Sequence, residues 1–247
     1  IDRVEVLRGP QGTLFGRNAT GGLIQIVTRE PSHTPSGNVR VGYANYDTFE
    51  ASAYATTGLT DNVAIDFAGF AKVRDKGVGT NIVTGEDVFK SKEYSIRSKL
   101  LWTPGDNTRI TLSGDYAYQD SDIGLVRHLA PGIIGLNGVS RWNGRDYDID
   151  ADLTPSSVVS RWSAVLKVEQ DLQWAQLVSI SAYQYNKDRW LLDLDGTPTP
   201  VLNAETIDRN RGFTQEIQLQ SQSGSAFQWV VGAYYLKSKI NQEPQRI

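Results

Sequence analysis

The stretch Thr108-Arg-Ile-Thr-Leu-Ser-Gly-Asp-Tyr-Ala-Tyr-Gln119 reads as a strand with two unlike sides. Ile110, Leu112, Gly114, Tyr116 and Tyr118 fall on one side, and Thr111, Ser113, Asp115 and Gln119 on the other. Side chains of an extended chain point alternately to opposite faces, so a period of two separates what each face touches. The same test gives uncharged faces Val39, Val41, Tyr43; Phe49, Ala51, Ala53; Val63, Ile65, Phe67, Ala71; and Tyr94, Ile96, Leu100, Trp102. Later runs give Trp162, Ala164, Leu166, Val168; Phe213, Ile217, Leu219; and Trp229, Val231, Ala233, Tyr235, while residues 175–189 alternate less cleanly. The opposite faces carry Arg40, Glu50, Asp66, Lys72, Arg74, Arg97, Lys99, Asp115, Arg161, Lys167, Glu169 and Glu216. Ile110, Leu112, Trp162, Leu166 and Trp229 are therefore expected to face lipid, and the charged residues a wet lumen.

Alternation alone also fits a soluble β-sandwich, and the connections separate the two. Short ones at 59–62, 103–107, 171–174 and 221–226 take turns with long ones at 75–91, 120–156 and 193–210. An outer-membrane barrel produces this rhythm, with short turns at one end and long loops at the other, and a sandwich has no reason for it. Tyr43, Tyr94, Trp102, Tyr116, Tyr118, Trp162, Trp190 and Tyr235 stand near strand ends and are candidates for interfacial girdles.

Composition agrees with this reading. A net charge of −3 lacks the broad positive field that nucleic acid requires, so no nucleic-acid partner is expected. The absence of cysteine excludes disulfides and thiolate metal sites. No apolar run is long enough for a membrane helix, and a mean hydropathy of −0.37 is compatible with barrel strands, whose two faces average out. A chain that starts at Ile1 and holds no Met is expected to be processed or cut from a longer one.

Residues 1–31 differ in character. Val4 and Val6, then 23–27, read as short strands, and between them Gly9-Pro10, Gly12, Gly16 and Gly21-Gly22 break the chain. A phosphate loop is excluded, because Arg17-Asn18 follows Gly16 where that motif needs Lys and Ser or Thr. The run Val4-Glu-Val-Leu-Arg-Gly-Pro-Gln-Gly-Thr-Leu-Phe-Gly16, with Ala19-Thr-Gly-Gly-Leu-Ile-Gln-Ile-Val-Thr28, resembles the C-terminal part of the plug of TonB-dependent outer-membrane receptors. Gly212-Phe-Thr-Gln-Glu-Ile-Gln-Leu-Gln-Ser221 and Trp229-Val-Val-Gly-Ala-Tyr-Tyr235 resemble a strand pair of that family's barrel. Leu23 and Gln25 depart slightly, standing where small or Asn residues are frequent.

The resemblance implies an all-β chain. Residues 1–34 form the C-terminal part of a plug, and 35–247 form about nine antiparallel up-and-down strands of an incomplete transmembrane β-barrel of about 22 strands. The plug motif is Arg8, Gly9, Pro10, Gly12, Leu14, Phe15, Gly16, Gly21 and Gly22. The first half of the plug, the TonB box and the final strands are expected to lie elsewhere. The implied function is active uptake of a scarce nutrient, foremost a ferric siderophore, across the bacterial outer membrane. The implied partners are TonB, outer-membrane lipid and lipopolysaccharide, and a small-molecule ligand. A passive porin and a soluble β-sandwich binding module are the alternatives.

No enzyme constellation stands out, and no cofactor or metal is expected. His33 and His128 both fall in linkers or loops. The cluster Asp146, Asp148, Asp150 and Asp152 fails the EF-hand pattern, because Ala151 and Ser157 replace its glycine and closing glutamate. Whether it binds Ca²⁺ stays open at this point, with a solvated acidic loop the simpler reading. Arg8, ahead of a rigid Gly9-Pro10 turn, is expected to pair with a lumen carboxylate, Glu216 or Asp115 or one on barrel strands outside this chain, or locally with Glu5.

Overall fold

The computed structural model describes residues 1–10, 20–125, 128–130, 132–139, 142 and 144–243. Gly12, Leu14, Phe15 and Gly16 of the plug motif lie outside them. Two short strands, β1 (Arg3–Arg8) and β2 (Gly22–Val27), pair antiparallel from Arg3 opposite Val27 to Arg8 opposite Gly22. A β-carbon at Gly22, whose φ is +126°, would collide with the carbonyl oxygen of Leu7, so only glycine closes this pair.

The body is one sheet of nine strands: β3 (Ser36–Ala44), β4 (Thr48–Thr60), β5 (Val63–Arg74), β8 (Ser91–Gly105), β9 (Thr108–Ser121), β10 (Ser156–Asp171), β11 (Ala175–Asp193), β12 (Asn203–Ser221) and β13 (Val230–Gln242). Two-residue strands β6 (Gly79–Thr80) and β7 (Asp87–Val88) form a small hairpin between β5 and β8. Every large strand pairs antiparallel with its neighbours in sequence, so the chain is a plain meander with no Greek-key crossing, and the sandwich reading fails.

Turns 61–62, 106–107, 172–174 and 222–229 lie at one end, and 75–90, 122–155 and 194–202 at the other. Two connections differ from expectation. The β3–β4 turn at 45–47 is short although it lies at the long-loop end. The third long loop shrinks because β12 keeps pairing upward from Asn210 opposite Asn186 to Asn203 opposite Asp193; polar side chains do not interrupt a backbone ladder.

Register fixes the faces, since directly opposed residues share a side. Leu100, Leu112 and Leu166 form one row, and Ile96, Tyr116 and Trp162 another. Aromatic contacts follow this face: Tyr94–Tyr118 at 6.2 Å, Trp162–Tyr183 at 5.1 Å and Phe213–Tyr235 at 6.4 Å between ring centroids. Between Tyr118 on β9 and Tyr235 on β13 this belt crosses four strand gaps and drops three rows. That is about 20 Å along the strands against about 19 Å across them, which inclines the strands about 45° to the belt's normal, as a transmembrane barrel requires. Trp190 is an exception: opposite Ser157 and Thr206, it lies on the charged face. Trp229 precedes β13 and meets Trp174 at 6.4 Å, an aromatic pair at the short-turn end rather than in the wall.

Candidate functional site: the charged wall and the plug linker

All twelve charges read from the alternation share the second face, as the register shows. Opposite signs oppose each other there: Glu50 faces Lys72, Asp66 faces Lys99, and Arg97 faces Asp115. Such pairing stabilises a sheet modestly and leaves a wall without a dominant sign.

The segment that leaves β2 runs onto this face near the short-turn end. The Lys99 ammonium donates to the carbonyl oxygens of Arg29 (3.0 Å) and Thr28 (3.4 Å). Arg109 pairs with Glu30 and lies 3.8 Å from Glu169, which also accepts from Lys167 at 2.7 Å. Thr56 Oγ1 accepts from the Ser32 N–H at 2.8 Å, and the Gly58 N–H donates to the His33 carbonyl at 3.2 Å. The Arg29 guanidinium stands 5.3 Å from the Tyr54 ring centroid. Three kinds of attraction thus hold this strap against the wall: charge-assisted hydrogen bonds, an ion-pair cluster and a cation–π contact. Buried Asp66 supports Lys99 from behind, its Oδ1 accepting from the Lys99 N–H at 2.9 Å.

Lys99→Ala removes the only charge donated to the strap's carbonyls at 28 and 29 among the described contacts. Hydrogen bonds to charged groups contribute about 1.5–3 kcal/mol, so amide exchange of residues 28–34 in the complete receptor is expected to speed up about tenfold or more, while Lys99→Arg keeps most of the protection. Unchanged exchange in the alanine variant would show that the strap does not depend on Lys99.

The other sequence-derived candidates fall as follows. Arg40, Lys72, Arg74, Arg97 and Arg161 lie along the charged wall, Arg40 and Arg97 lining one cavity with Arg29 of the strap, and Arg8 ends β1 opposite Gly22. Glu5 accepts from Arg3 at 2.5 Å, Asp115 from the Ser163 hydroxyl, and Glu216 from Gln218. Lys99 appeared among the wall charges, but its role as a tether carried no sequence signal, and Arg109 was missed altogether. Only their position over residues 28–30 reveals them.

At the opposite end parts of the long loops dock on one another. Ile149 donates its N–H to Thr80 and accepts from the Ile82 N–H, and Val88, Ile149 and Ala151 are buried together. The four acidic groups of 146–152 do not converge. Asp148 takes both Nε (2.6 Å) and Nη2 (2.9 Å) of Arg145 and the Thr80 N–H (3.0 Å), and the guanidinium holds its carboxyl below the usual range. Asp152 instead gathers with Asp193 and Asp195, their nearest oxygens within 4.8 Å of one another. Within that trio Asp193 Oδ1 accepts from the N–H groups of Asp195 and Gly196, Asp195 from those of Thr197 and Leu202, and Asp152 Oδ2 from the Asn203 amide, while Asp152 Oδ1 and Asp193 Oδ2 are buried without a partner. His128 stacks on Trp142 at 4.7 Å within the longest loop, a packing role.

No protein-family model matches the chain. The pesticin receptor of Yersinia pestis is 35% identical over 107 residues, 43% of this chain and 16% of that protein. The iron-regulated outer membrane virulence protein of Vibrio cholerae is 37% identical over 82 residues, 31% of this chain and 13% of that protein. Among solved structures, the ferric yersiniabactin uptake receptor of Yersinia pestis superposes with a TM-score of 0.77 at 23% identity, over 97% of this chain and 36% of the receptor. Fold and wall define part of an outer-membrane barrel with its plug strap. Over the matched length the chain is similar to part of these outer-membrane receptors. It spans a small fraction of the relatives it matches, 16% of the pesticin receptor.

Proposed function

We propose that the chain forms the last piece of the plug and the adjoining barrel wall of a TonB-dependent receptor of the bacterial outer membrane that takes up a ferric siderophore. The observation that carries this is the strap of residues 28–33 tied to the charged face of a barrel-type sheet. A passive porin needs no such strap, whereas an actively opened receptor needs one that is strong at rest and exchangeable for water under load. The relatives' names support the cargo, since they include an iron-regulated outer membrane protein and a ferric yersiniabactin uptake receptor. The relatives are receptors rather than enzymes.

The partners follow from this reading. TonB of the inner-membrane complex pulls on the plug, the ligand enters between the docked outer loops, and lipid covers the apolar face. In cells deleted for the complete receptor, uptake of radioactive iron from its siderophore is expected to fall at least tenfold, and to fall equally when TonB is removed with the receptor intact. Uptake that persists without TonB would favour the porin.

A further inference from the structure

Three carboxylates from two different loops meet beyond the long-loop end of the sheet. The ladder between β11 and β12 ends where Asp193 opposes Asn203, and the turn beyond it carries Asp195. Asp152 belongs to the 122–155 loop and is brought over this turn by its N–H, which donates to the Thr197 carbonyl oxygen at 3.1 Å. Asp195 is 4% exposed, and among the described residues none of the three carboxylates forms an ion pair with a lysine or arginine. Like charges gathered out of water without a counter-charge are strongly destabilising. The N–H groups of the turn occupy Asp193 Oδ1 and both oxygens of Asp195, and the Asn203 amide nitrogen occupies Asp152 Oδ2 at 2.8 Å. Asp152 Oδ1 and Asp193 Oδ2 remain, closed off from solvent and without a donor. A second, independent sign comes from Asn203, a neutral side chain outside the acidic trio: its Oδ1 is also buried and also lacks a donor. A turn that needed only its N–H groups capped would leave these oxygens to water, and they are shut away from it.

We propose that Asp152, Asp193 and Asp195, with the side-chain oxygen of Asn203, form a binding site for a divalent cation of the Ca²⁺ type that clamps the two outer loops together. The donor set is oxygen only, without histidine or cysteine, which suits a hard cation rather than zinc or copper. Ca²⁺ holds its oxygens at about 2.3–2.6 Å, so ligands on opposite sides of one ion stand about 5 Å apart. One oxygen from each aspartate lies within 4.8 Å of the others, inside that span. Ca²⁺ also tolerates an irregular shell completed by water, whereas Mg²⁺ demands a near-ideal octahedron. Of the 146–152 run only Asp152 takes part, so the site joins residues distant in sequence and leaves no motif there. The loop between β9 and β10 and the loop between β11 and β12 are fastened at one point, and the outer surface they share depends on the cation. The clamp goes beyond the transport reading and stands independently of the cargo.

The test uses the complete receptor in neutral detergent, freed of lipopolysaccharide so that lipid phosphates hold no cation, and dialysed against EDTA. It is then titrated with CaCl₂ or MgCl₂, with calorimetry reading binding and amide exchange reading the loops. Ca²⁺ is expected to bind at least tenfold more tightly than Mg²⁺ and to slow exchange of residues 148–155 and 194–202 at least tenfold relative to EDTA. The double variant Asp152→Asn/Asp193→Asn should lose at least tenfold in Ca²⁺ affinity together with the calcium-dependent protection, although its asparagine oxygens still cap the turn. Asp146→Asn, an exposed member of the same acidic run, should bind Ca²⁺ like the wild type. Heat-modifiable migration on gels checks that each variant barrel is folded. No binding below about 10 mM Ca²⁺, weaker than extracellular modules show, would overturn the site. Loop exchange identical in Ca²⁺ and EDTA, undiminished binding by the double variant, equal affinity for Mg²⁺, or an equal loss in Asp146→Asn would each overturn it as well. Iron uptake scores the transport reading separately, because a receptor that transports iron normally and ignores Ca²⁺ refutes only the clamp.

Discussion

Leu112→Arg in the complete receptor is expected to stop most of the protein from reaching the folded state in the membrane. Leu112 sits in the row Leu100–Leu112–Leu166, on the face opposite all the wall charges and well below the aromatic belt. A guanidinium placed there meets hydrocarbon on three sides, and at the bilayer midplane this costs about 2–4 kcal/mol. The comparison is Asp115→Asn, three residues higher on β9 and on the charged face, where the amide keeps its contact with the Ser163 hydroxyl and assembly should match wild type. Heat-modifiable migration on gels reads both variants. Equal assembly of the arginine variant would mean that the two faces are assigned backwards.

Gly79→Val is expected to have the second large effect, this time on the outer loops. A β-carbon at Gly79 would overlap the carbonyl oxygen of Tyr147, so the 144–152 segment cannot stay docked on the β6–β7 hairpin. Undocking breaks the Ile149–Thr80 and Ile82–Ile149 hydrogen bonds and opens the small core of Val88, Ile149 and Ala151. Overpacking of this kind costs about 1–3 kcal/mol, as much as so small a core supplies, so the loop should become open to protease while the barrel stays intact. Siderophore affinity should fall at least tenfold under the proposed function. A protected loop in the valine variant would show that the segment has another seat.

The wall was legible in the sequence because period two is a local property, and every charge read from it landed on one face. The strand number and the loop rhythm followed from the same signal. β11 was harder to read: its membrane-side row runs Ser179, Ser181, Tyr183, Tyr185, Lys187, with the serines in the rows of Val168 and Leu166 and the lysine above the belt, so no single phase looks apolar. The strap contacts were not legible, because Lys99 and Arg109 resemble any wall charge and the partners of Lys99 are backbone carbonyls about seventy residues away in sequence. Loop docking was hidden for a similar reason. Asp148 reads as a solvated acid until Thr80 and Arg145 are brought to it.

Pairing only between sequence neighbours also sets an order of events in assembly. Each hairpin of the meander is complete once its two strands meet, so nothing in the sheet waits for a distant segment. The outer core is different, since Val88 and Ile149 are separated by two large strands and belong to loops that must first cross the bilayer. Those loops therefore travel as unpacked chain, and their packing begins only on the far side. The loop surface is the last part of this region to take shape, and the strand register beneath it is already set when it does.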